Sequence, residues 1–351
     1  MVFQDKNKEN LVIIDGSSYL YRAYYALPNL KTSNGMHSGA IHGFANMLNR
    51  IIDEYNPKYM LMVFDAKGKN FRHEIYKKYK ATRNAMPKEL SEQTEPIIDM
   101  VKAYGITVIQ ESGVEADDVI ATAVKSHTIE NVQTVISSGD KDLAQLVQND
   151  VVLVNSFDSK VLDTQGVIDK FGVRPDQILD YLCLVGDSSD NIPGVPKVGP
   201  KTARTLLGKY NSVENIIDNT QELKGKLREN LENSHDTIDL AKKLIVLKDD
   251  LRLPLKQKDL EIKTIDTKVL KKIINKYELK SLSKKLDIKV ENKTIKKKYN
   301  IVKTLSQAET IIKDCIKHKT FAFDTETTSL DFNEAELVGF SISYRENEAY
   351  Y

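Results

Sequence analysis

Acidic side chains are concentrated at one point of this 351-residue sequence, directly before a short apolar segment. Glu115, Asp117 and Asp118 lie within four positions, and residues 119–124 read Val-Ile-Ala-Thr-Ala-Val. The pattern predicts a helix with the three acids in its first turn, where the helix dipole and free backbone N–H groups favour negative charge. An ordinary acidic helix start explains this stretch taken alone. Grouped carboxylates are also the oxygen ligands that Mg²⁺ and Mn²⁺ prefer, so the stretch is a candidate metal site.

Predicted strands deliver further carboxylates. Buried strands are predicted over 10–15, 59–64 and 134–138, and the aspartates that end or follow them are Asp15, Asp65, Asp140 and Asp142. In an open α/β sheet, ligand sites lie at the edge formed by the carboxyl ends of the strands. A single strand-end aspartate is commonly a loop residue or a helix cap. Three strands that bring acids to one edge are hard to explain by capping.

Two more aspartates, Asp187 and Asp190, lie three positions apart in Gly-Asp-Ser-Ser-Asp-Asn. One turn of helix would place both on the same face, whereas a polar turn with an aspartate cap explains them equally well.

Hydrolysis of a phosphodiester needs a nucleophilic hydroxide and stabilised charge on the phosphate, and two divalent ions about 3.5–4 Å apart supply both. The six histidines are scattered, so no Ser/His/Asp arrangement offers a competing chemistry.

Composition limits the kind of protein this can be. With 41% apolar residues, the chain allows more than one domain and a sizeable core. Its 51 basic and 50 acidic residues nearly cancel, so affinity for a polyanion must come from local patches. The two cysteines form no ligand pattern, and the sequence contains neither a signal peptide nor an apolar run that could span a bilayer. We therefore expect a reduced, cytoplasmic protein with no membrane partner.

Residues 67–88 form a basic segment in which Glu74 is the only acid. Its cations are Lys67, Lys69, Arg72, Lys77, Lys78, Lys80, Arg83 and Lys88, and Tyr76 and Tyr79 lie between them. Cations suit a phosphate backbone and aromatic rings suit stacked bases, so the segment is a candidate nucleic-acid contact. A solvated surface helix is the alternative interpretation.

A turn rich in glycine and proline, residues 192–202, leads into a predicted helix over 203–210. Such a turn can direct successive backbone N–H groups at a phosphate, and the helix start and Lys201 add positive potential. The stretch resembles the helix-hairpin-helix class of DNA-backbone binders. An ordinary pair of antiparallel helices is the alternative.

Five motifs together resemble the 5′ nuclease domain of bacterial DNA polymerase I. They lie at 15–23, 63–69, 113–118, 138–142 and 186–199, in the order of that family, and the resemblance covers about residues 11–286. It implies an α/β fold of the PIN/5′ nuclease-like type, with a central, mostly parallel sheet flanked by helices, a basic arch and a helix-hairpin-helix subdomain. It also implies a structure-specific 5′–3′ exonuclease and flap endonuclease that acts in replication and repair. Two Mg²⁺ (or Mn²⁺) ions and DNA with 5′ flaps, nicks or 5′ ends are the implied cofactor and substrate.

The resemblance assigns roles to individual residues. The implied metal ligands are Asp15, Asp65, Glu115, Asp117, Asp118, Asp140, Asp142, Asp187 and Asp190. Lys80 and Arg83 match the basic arch that engages the 5′ strand and are the implied catalytic cations. The implied DNA contacts are Arg22, Lys67, Lys69, Arg72, Tyr76, Gly194, Lys197, Gly199, Lys201 and Thr202. Lys197 departs from the family, which often has glycine there, a residue suited to a positive-φ turn.

The sequence also predicts a division into domains. We expect an α/β catalytic core at 1–175, a helix-hairpin-helix subdomain at 176–286, a lysine-rich linker at 287–300 and the start of a second unit at 301–351. Asp324-Thr325-Glu326 resembles the first motif of the DNA polymerase I 3′–5′ exonuclease domain. We expect Asp324 and Glu326 to give no 3′–5′ activity in this chain, and we expect the chain to be a monomer.

Two other functions remain open from the sequence. The first is a non-catalytic protein that binds DNA junctions with the same fold, although concentrated negative charge is unfavourable next to phosphates. The second is a related metal-dependent ribonuclease, which the hairpin and the basic segment disfavour. Cleavage of a 5′-flap DNA beside an RNA control separates all three.

Overall fold

The computed structural model describes residues 8–126, 131–156, 160–288, 297–329 and 331–351. Its internal contacts divide the chain into two compact units, Met1–Val290 and Glu291–Tyr351. Each unit is built around a sheet of its own. Within the described part of the chain, no helix is both long and apolar enough to cross a membrane.

Six strands of the first unit form one sheet. They are β1 Glu9–Asp15, β2 Tyr59–Val63, β3 Thr107–Ile109, β4 Val132–Ser138, β5 Val151–Asn155 and β6 Val161–Leu162. Their order across the sheet is β3-β2-β1-β4-β5-β6. Every neighbouring pair is parallel except β5 and β6, which are antiparallel. The predicted α/β fold with a mostly parallel sheet is therefore confirmed.

The sequence of β1 explains its central position. Residues 11–14 read Leu-Val-Ile-Ile and are all buried, as expected for a parallel strand covered on both faces. Because side chains alternate along a strand, Leu11 and Ile13 join the core on one face and Val12 and Ile14 join the core on the other. The sheet is thus fixed by two independent cores.

Helices cover both faces. Those on the side of Val12 and Ile14 are α1 Gly16–Ala26, α2 Gly39–Tyr55, α4 Lys88–Ala103, α13 Thr267–Tyr277 and α14 Lys280–Lys285. Those that contribute to the other core are α5 Ala116–Ser126, α6 Thr164–Phe171, α7 Ile178–Val185, α8 Pro200–Tyr210, α9 Val213–Asp218, α10 Gly225–Glu232, α11 His235–Ile245 and α12 Gln257–Leu260. In the basic segment only α3 Phe71–Ile75 is an α-helix. A long solvated helix over 67–88 is therefore wrong.

The part of the first unit that follows the sheet consists of short helices separated by turns. Residues 225–245 contain two helices, α10 and α11, and Ser234 lies between them with its hydroxyl bonded to the Asn230 carbonyl. Residues 175–177 form a 3-10 turn, so α7 begins at Ile178. Residues 186–199 join α7 to α8, and Val195 N donates to the Leu184 carbonyl at 2.9 Å. This bond anchors the predicted hairpin to α7.

The second unit has a four-stranded sheet and one helix. They are β7 Lys298–Asn300, α15 Leu305–His318, β8 Ala322–Thr327, β9 Leu337–Arg345 and β10 Glu348–Tyr350. The strand order is β7-β10-β9-β8, and Asp324 and Glu326 lie exposed on β8 at its edge. Of the predicted linker 287–300, residues 289–296 lie outside the described residues, and 298–300 form β7. The predicted boundary at 175/176 remains a prediction.

Gly194 packs where no larger residue fits. A Cβ atom added there would lie 2.4 Å from the carbonyl carbon of Val185 and 2.5 Å from the nitrogen of Gly186. Gly199, in the same hairpin, has no heavy atom within 4 Å of such a Cβ and does not require positive φ. The two glycines therefore offer a matched pair of substitutions.

Gly194→Ala is expected to lower the free energy of unfolding by about 2 kcal/mol, because overpacking forces the backbone of α7 and the hairpin apart. Gly199→Ala is expected to cost less than about 1 kcal/mol, the modest preference for glycine over alanine at a helix N-cap. Urea unfolding of both variants measures the difference. Equal losses would show that the close approach of Gly194 to Val185 is unimportant.

Candidate active site

A cleft at the carboxyl edge of the first sheet brings predicted acids together. It has a volume of about 580 Å³, and its wall includes Asp15, Asp65, Asp117 and Asp140. Asp15 is the last residue of β1, Asp65 follows β2, Asp140 follows β4 and Asp117 is in the first turn of α5. Parallel strands that end at one edge have therefore placed four acids from distant parts of the sequence in one space, which we call the carboxylate cleft.

Asp15 is buried and fully engaged with neighbouring groups. Its Oδ1 accepts a hydrogen bond of 2.9 Å from Ser18 N, which caps α1, and its Oδ2 accepts one of 2.6 Å from the Ser138 hydroxyl. Burial raises the pKa of Asp15 to about 7, although both hydrogen bonds lower it. The charges of Asp65 and Asp140 raise it further. A cation bound in the cleft would lower the pKa of Asp15 and so favour its ionised form.

Burial and neighbouring negative charges both raise the pKa of Asp117. Removal from water is the largest cause that raises its pKa well above the usual value. The charges of Asp140, Asp15, Glu115 and Asp65 follow, in that order. An ionised Asp117 therefore requires a compensating positive charge nearby.

A second group of acids adjoins the cleft. Asp142 is buried, its Oδ1 has no hydrogen-bond partner, and burial together with the charges of Asp140 and Asp187 raises its pKa well above the usual value. Burial also raises the pKa of Asp187, but hydrogen bonds from Ser189 and the charge of Lys141 outweigh burial, so the net pKa is lowered. Lys141 Nζ lies 3.1 Å from Asp187 Oδ1. Asp187 is thus ion-paired, whereas one buried oxygen of Asp142 has no hydrogen-bond partner.

Lys80 and Arg83 are paired with acids in this structure. Lys80 Nζ contacts Glu115 and lies 3.6 Å from Asp190 Oδ2, and Arg83 forms an ion pair with Asp190. The Tyr79 hydroxyl lies 2.9 Å from Glu115 Oε2 and 3.1 Å from Asp190 Oδ2. The basic segment therefore supplies the cations that neutralise these two acids within the protein.

The backbone holds Lys80 in an unusual conformation. Its φ is 53°, in the left-handed region that costs a non-glycine residue on the order of 1 kcal/mol or more. Lys80 N donates to the Asp190 carbonyl at 3.0 Å, and the Asn191 amide donates to the Lys78 carbonyl at 2.8 Å. These two bonds fix residues 78–80 against the 187–191 loop and direct the Lys80 ammonium at Glu115.

The structure corrects the predicted roles of Arg72 and Asp118. Both are buried, with 1% and 0% of their surface exposed. Arg72 donates from both terminal nitrogens to the two Asp118 oxygens, at 2.7 and 2.8 Å, and also donates to the carbonyls of Leu244 and Val246. The backbone N–H groups of Glu115 and Lys248 complete the set of donors to Asp118. Arg72 is therefore inaccessible to DNA, and the oxygens of Asp118 are committed to these donors rather than to a metal.

The other predicted DNA contacts lie in three places. Arg22 lines the carboxylate cleft. In the basic segment Lys67 and Lys69 are exposed, while Tyr76 is half-buried against the core and Tyr79 is buried, so stacking on a base is disfavoured for both rings. In the hairpin Lys197 and Lys201 are exposed, Thr202 and Gly199 are half-buried, and Gly194 is packed against α7. Lys197 has a φ of 64°, so this position adopts the glycine-like conformation that the family pattern implies.

Sequence reasoning missed the hydroxyl groups between the acids. Ser17 Oγ accepts a hydrogen bond from Asp65 N at 2.9 Å, and Ser18 Oγ accepts one from Gly139 N at 3.1 Å. Ser138 bonds to Asp15 as described above. Serine is common in loops, and no spacing rule marks these three. The signal that was present is their closeness in sequence to Asp15 and Asp140.

The acids fit a divalent ion that keeps some of its water. Among the described residues, no three His, Cys, Asp or Glu side chains are already placed as ligands of one ion. Four carboxylates nevertheless line one cleft, and the buried Asp142 Oδ1 lacks a partner. Mg²⁺ commonly binds through one or two carboxylates and several waters, so this arrangement suits it.

Comparison with protein families covers most of the chain. Residues 10–172 match a family described as "5'-3' exonuclease, N-terminal resolvase-like domain", and residues 173–268 match "5'-3' exonuclease, C-terminal SAM fold". Residues 299–351 match a family described as "3'-5' exonuclease". The resemblance drawn from the motifs is confirmed by these matches.

Individual relatives agree. A 5′-3′ exonuclease of Aquifex aeolicus is 42% identical over 80% of this chain and 96% of its own length. A DNA polymerase I of Pseudomonas aeruginosa is 39% identical over 97% of this chain, which spans only 39% of that polymerase.

Among solved structures, the T5 D15 protein co-crystallised with metal ions matches with a TM-score of 0.59 at 20% identity, over 79% of this chain and 98% of that one. The catalytic core of Rad2 in complex with a DNA substrate matches with a TM-score of 0.53 at 16% identity, over 80% and 94%. The two structures support the fold.

The raised pKa of Asp117 predicts how an uncharged replacement affects stability. A pKa raised in the folded state means that the folded protein binds more protons than the unfolded one, so stability falls as the pH rises from about 4. Asp117→Asn removes this effect. In a chelating buffer the variant should be more stable than the parent at pH 8, and the gain should vanish near pH 4.

Urea unfolding at several pH values measures this gain. Asp236→Asn, at an exposed acid in the first turn of α11, is the matched control and should show no such gain. If Asp117→Asn were less stable than the parent at pH 8, the combined cost of burial and charge repulsion would not be the dominant effect on this residue.

Proposed function

This chain belongs to the 5′–3′ exonuclease family, and we propose that it hydrolyses DNA phosphodiester bonds at 5′ flaps, nicks and 5′ ends. The observation that carries the proposal is the carboxylate cleft, where four acids converge beside Lys80 and Arg83. A protein that only bound DNA would gain nothing from concentrated negative charge that faces phosphates. Acids and cations together suit a reaction that needs both divalent ions and a held phosphate.

We assign the ion-binding role to Asp15, Asp65, Asp117 and Asp140, with Asp142 and its unpartnered oxygen beside them. Mg²⁺ or Mn²⁺ bound there would supply hydroxide at neutral pH and stabilise negative charge on the scissile phosphate. The hydrogen bonds to Asp15 from Ser18 and Ser138 hold its carboxylate in place before any ion arrives. The number of ions, two, and their identity are part of the proposal.

Lys80 and Arg83 would hold the phosphate. Both line the same cleft as the acids, and in this structure both neutralise carboxylates. If divalent ions also neutralised Glu115 and Asp190, which the family resemblance implies as further ligands, the two cations would become available to the phosphate oxygens of the 5′ strand. Their long side chains can make this change without moving the backbone bonds that fix residues 78–80.

Binding of the rest of the DNA is proposed for the basic segment and the hairpin. Lys67, Lys69, Lys197 and Lys201 are exposed and can neutralise phosphates. Gly199 is the N-cap of α8 and offers no side-chain cap, so the backbone N–H groups of Lys201 and Thr202 in the first turn of α8 can donate to a phosphate. The solved relatives include a T5 D15 flap endonuclease with DNA and metal ions and the Rad2 core with a DNA substrate, and this supports the assignment.

The relation to longer proteins is also a proposal. Because the chain matches a DNA polymerase I over 97% of its own length, we propose that its first unit provides the 5′ nuclease activity of such a protein. The second unit matches a 3′-5′ exonuclease family over 299–351, and its Asp324 and Glu326 are exposed on an edge strand. A monomeric state, a cytoplasmic location and the inactivity of Asp324 and Glu326 remain predictions from the sequence.

Cleavage of a 5′-flap DNA with Mg²⁺ tests the proposal. Asp117→Asn should slow single-turnover cleavage about 100-fold or more, because it weakens charge stabilisation at the reacting phosphate. Its affinity for the flap should remain close to that of the parent, since affinity comes mainly from cationic contacts. Asp236→Asn should cleave and bind like the parent.

Three results would contradict the proposal in different ways. Near-normal cleavage by Asp117→Asn would reject the site. Binding of the flap without cleavage under Mg²⁺ or Mn²⁺ would indicate a junction-binding protein. Faster cleavage of an RNA of the same sequence would indicate a ribonuclease.

Neutralising Lys80 and Arg83 together should affect both rate and salt dependence. Lys80→Gln/Arg83→Gln should slow cleavage at saturating DNA and reduce the slope of log affinity against log salt by about 2, because two fewer counterions are released. Lys77→Gln/Lys78→Gln removes the same charge from exposed positions in the same segment, and its rate at saturating DNA should match the parent. An unchanged rate and slope in the first variant would leave its cations without a role in the reaction.

A further inference from the structure

We propose that Ser138 is a positioning residue that fixes the separation of the Asp15 and Asp140 carboxylates for a divalent ion. The inference rests on the proposed function and deepens it, because it concerns how the carboxylate cleft is kept ready for its ion. Ser138 is the last residue of β4 and only 2% of its surface is exposed. It does not line the cleft and is not among the expected ligands.

The hydrogen bonds of Ser138 have a defined direction. Asp140 N donates to the Ser138 hydroxyl oxygen at 2.9 Å, and the Ser138 hydroxyl donates to Asp15 Oδ2 at 2.6 Å. A backbone N–H can only donate, so it occupies a lone pair of the hydroxyl oxygen and leaves the hydroxyl proton for Asp15. A single side chain therefore links a carboxylate at the end of β1 to the backbone of the acid after β4.

The sheet itself does not provide this link. The last paired residues of β1 and β4 are Ile14 and Ser137. Asp15 is still paired with Val63 of β2, but neither Asp15 nor Asp140 is paired between β1 and β4, so the ladder between these two strands does not set their distance. Asp140 Oδ1 in turn accepts from Asp142 N at 2.9 Å, so the same chain of bonds reaches the second group of acids.

The neighbouring serines make different hydrogen bonds. Ser17 and Ser18 accept hydrogen bonds from the backbone of Asp65 and Gly139, so they tie loops together without contacting a carboxylate through their hydroxyls. Ser137 is as deeply buried as Ser138, but its hydroxyl lies 2.8 Å from the Tyr19 hydroxyl, within the sheet–helix core. Ser137 is therefore a matched control: the same residue type, adjacent in sequence, with a buried hydroxyl bond that does not reach the acids.

Loss of the hydroxyl should weaken ion binding rather than the fold. A group that orients a metal ligand through a hydrogen bond typically contributes 10–100-fold to metal affinity or activity. Ser138→Ala keeps the Cβ atom and removes only the oxygen, so Asp15 loses a donor and Asp140 N loses its acceptor. Ser138→Thr keeps the hydroxyl.

Titration of the DNA-free protein with Mn²⁺, followed by the loss of the free-ion signal in electron paramagnetic resonance, tests the inference directly. Ser138→Ala should bind Mn²⁺ about 10-fold or more weakly than the parent. Ser138→Thr and Ser137→Ala should bind like the parent, even if Ser137→Ala unfolds at a lower temperature. The Mg²⁺ concentration that half-saturates flap cleavage should rise for Ser138→Ala by a similar factor, while flap affinity in a metal-free buffer stays unchanged.

Several results would overturn the role of Ser138. Parent-like Mn²⁺ affinity in Ser138→Ala would do so, and so would an equal loss in Ser138→Ala and Ser137→Ala, which would indicate general loosening of the sheet. A Ser138→Thr variant as weak as Ser138→Ala would show that the hydroxyl is not the group that matters. If the parent cleaves flaps and only these variants behave unexpectedly, the proposed nuclease function stands and only the role of Ser138 is rejected. A parent that neither binds Mn²⁺ nor cleaves flaps would reject both the proposed function and the role of Ser138.

Discussion

Mutual repulsion among carboxylates is the constraint on which the rest of the first unit depends. Four acids line one cleft and others adjoin it, and their charges raise one another's pKa values. A sheet with two independent cores can tolerate this cost, because the acids lie at its edge and not in its interior. The cap of α1 and the Ser138 hydroxyl both stabilise the Asp15 carboxylate, whereas Lys80 pairs with Glu115 and Arg83 pairs with Asp190. The cleft is thus held in a state that favours any incoming cation.

The buried pair of Arg72 and Asp118 connects this cleft to the helical part of the unit. Arg72 belongs to α3, Asp118 to α5, and the carbonyls of Leu244 and Val246 belong to the end of α11. A buried bidentate ion pair is costly to break, because the remaining charge would lie uncompensated in the core. Three segments that are distant in sequence are therefore fixed around the same helix start that presents Glu115 and Asp117.

The sequence predicted the fold and the convergence of acids well, for a physical reason. Strand-end aspartates such as Asp15 and Asp65 follow continuous apolar runs, and parallel topology brings the ends of such runs to one edge. What it could not predict was the direction of side chains within one turn of helix. Asp117 and Asp118 are adjacent and chemically equal, yet one faces the cleft and the other faces Arg72. Arg72 was misassigned for the same reason, since a run of cations does not reveal which of them meets a buried acid.

The pairing between β1 and β4 also limits where residues can be inserted into or deleted from such a protein. Asp15 lies one residue beyond the last pair, so inserting a single residue into β1 would turn its carboxylate to the opposite face and move it by about 3.3 Å. Inserting two residues would return the Asp15 carboxylate to its original face of the sheet but would move it past the other acids of the cleft. The strands that carry the acids are therefore confined to a fixed number of residues.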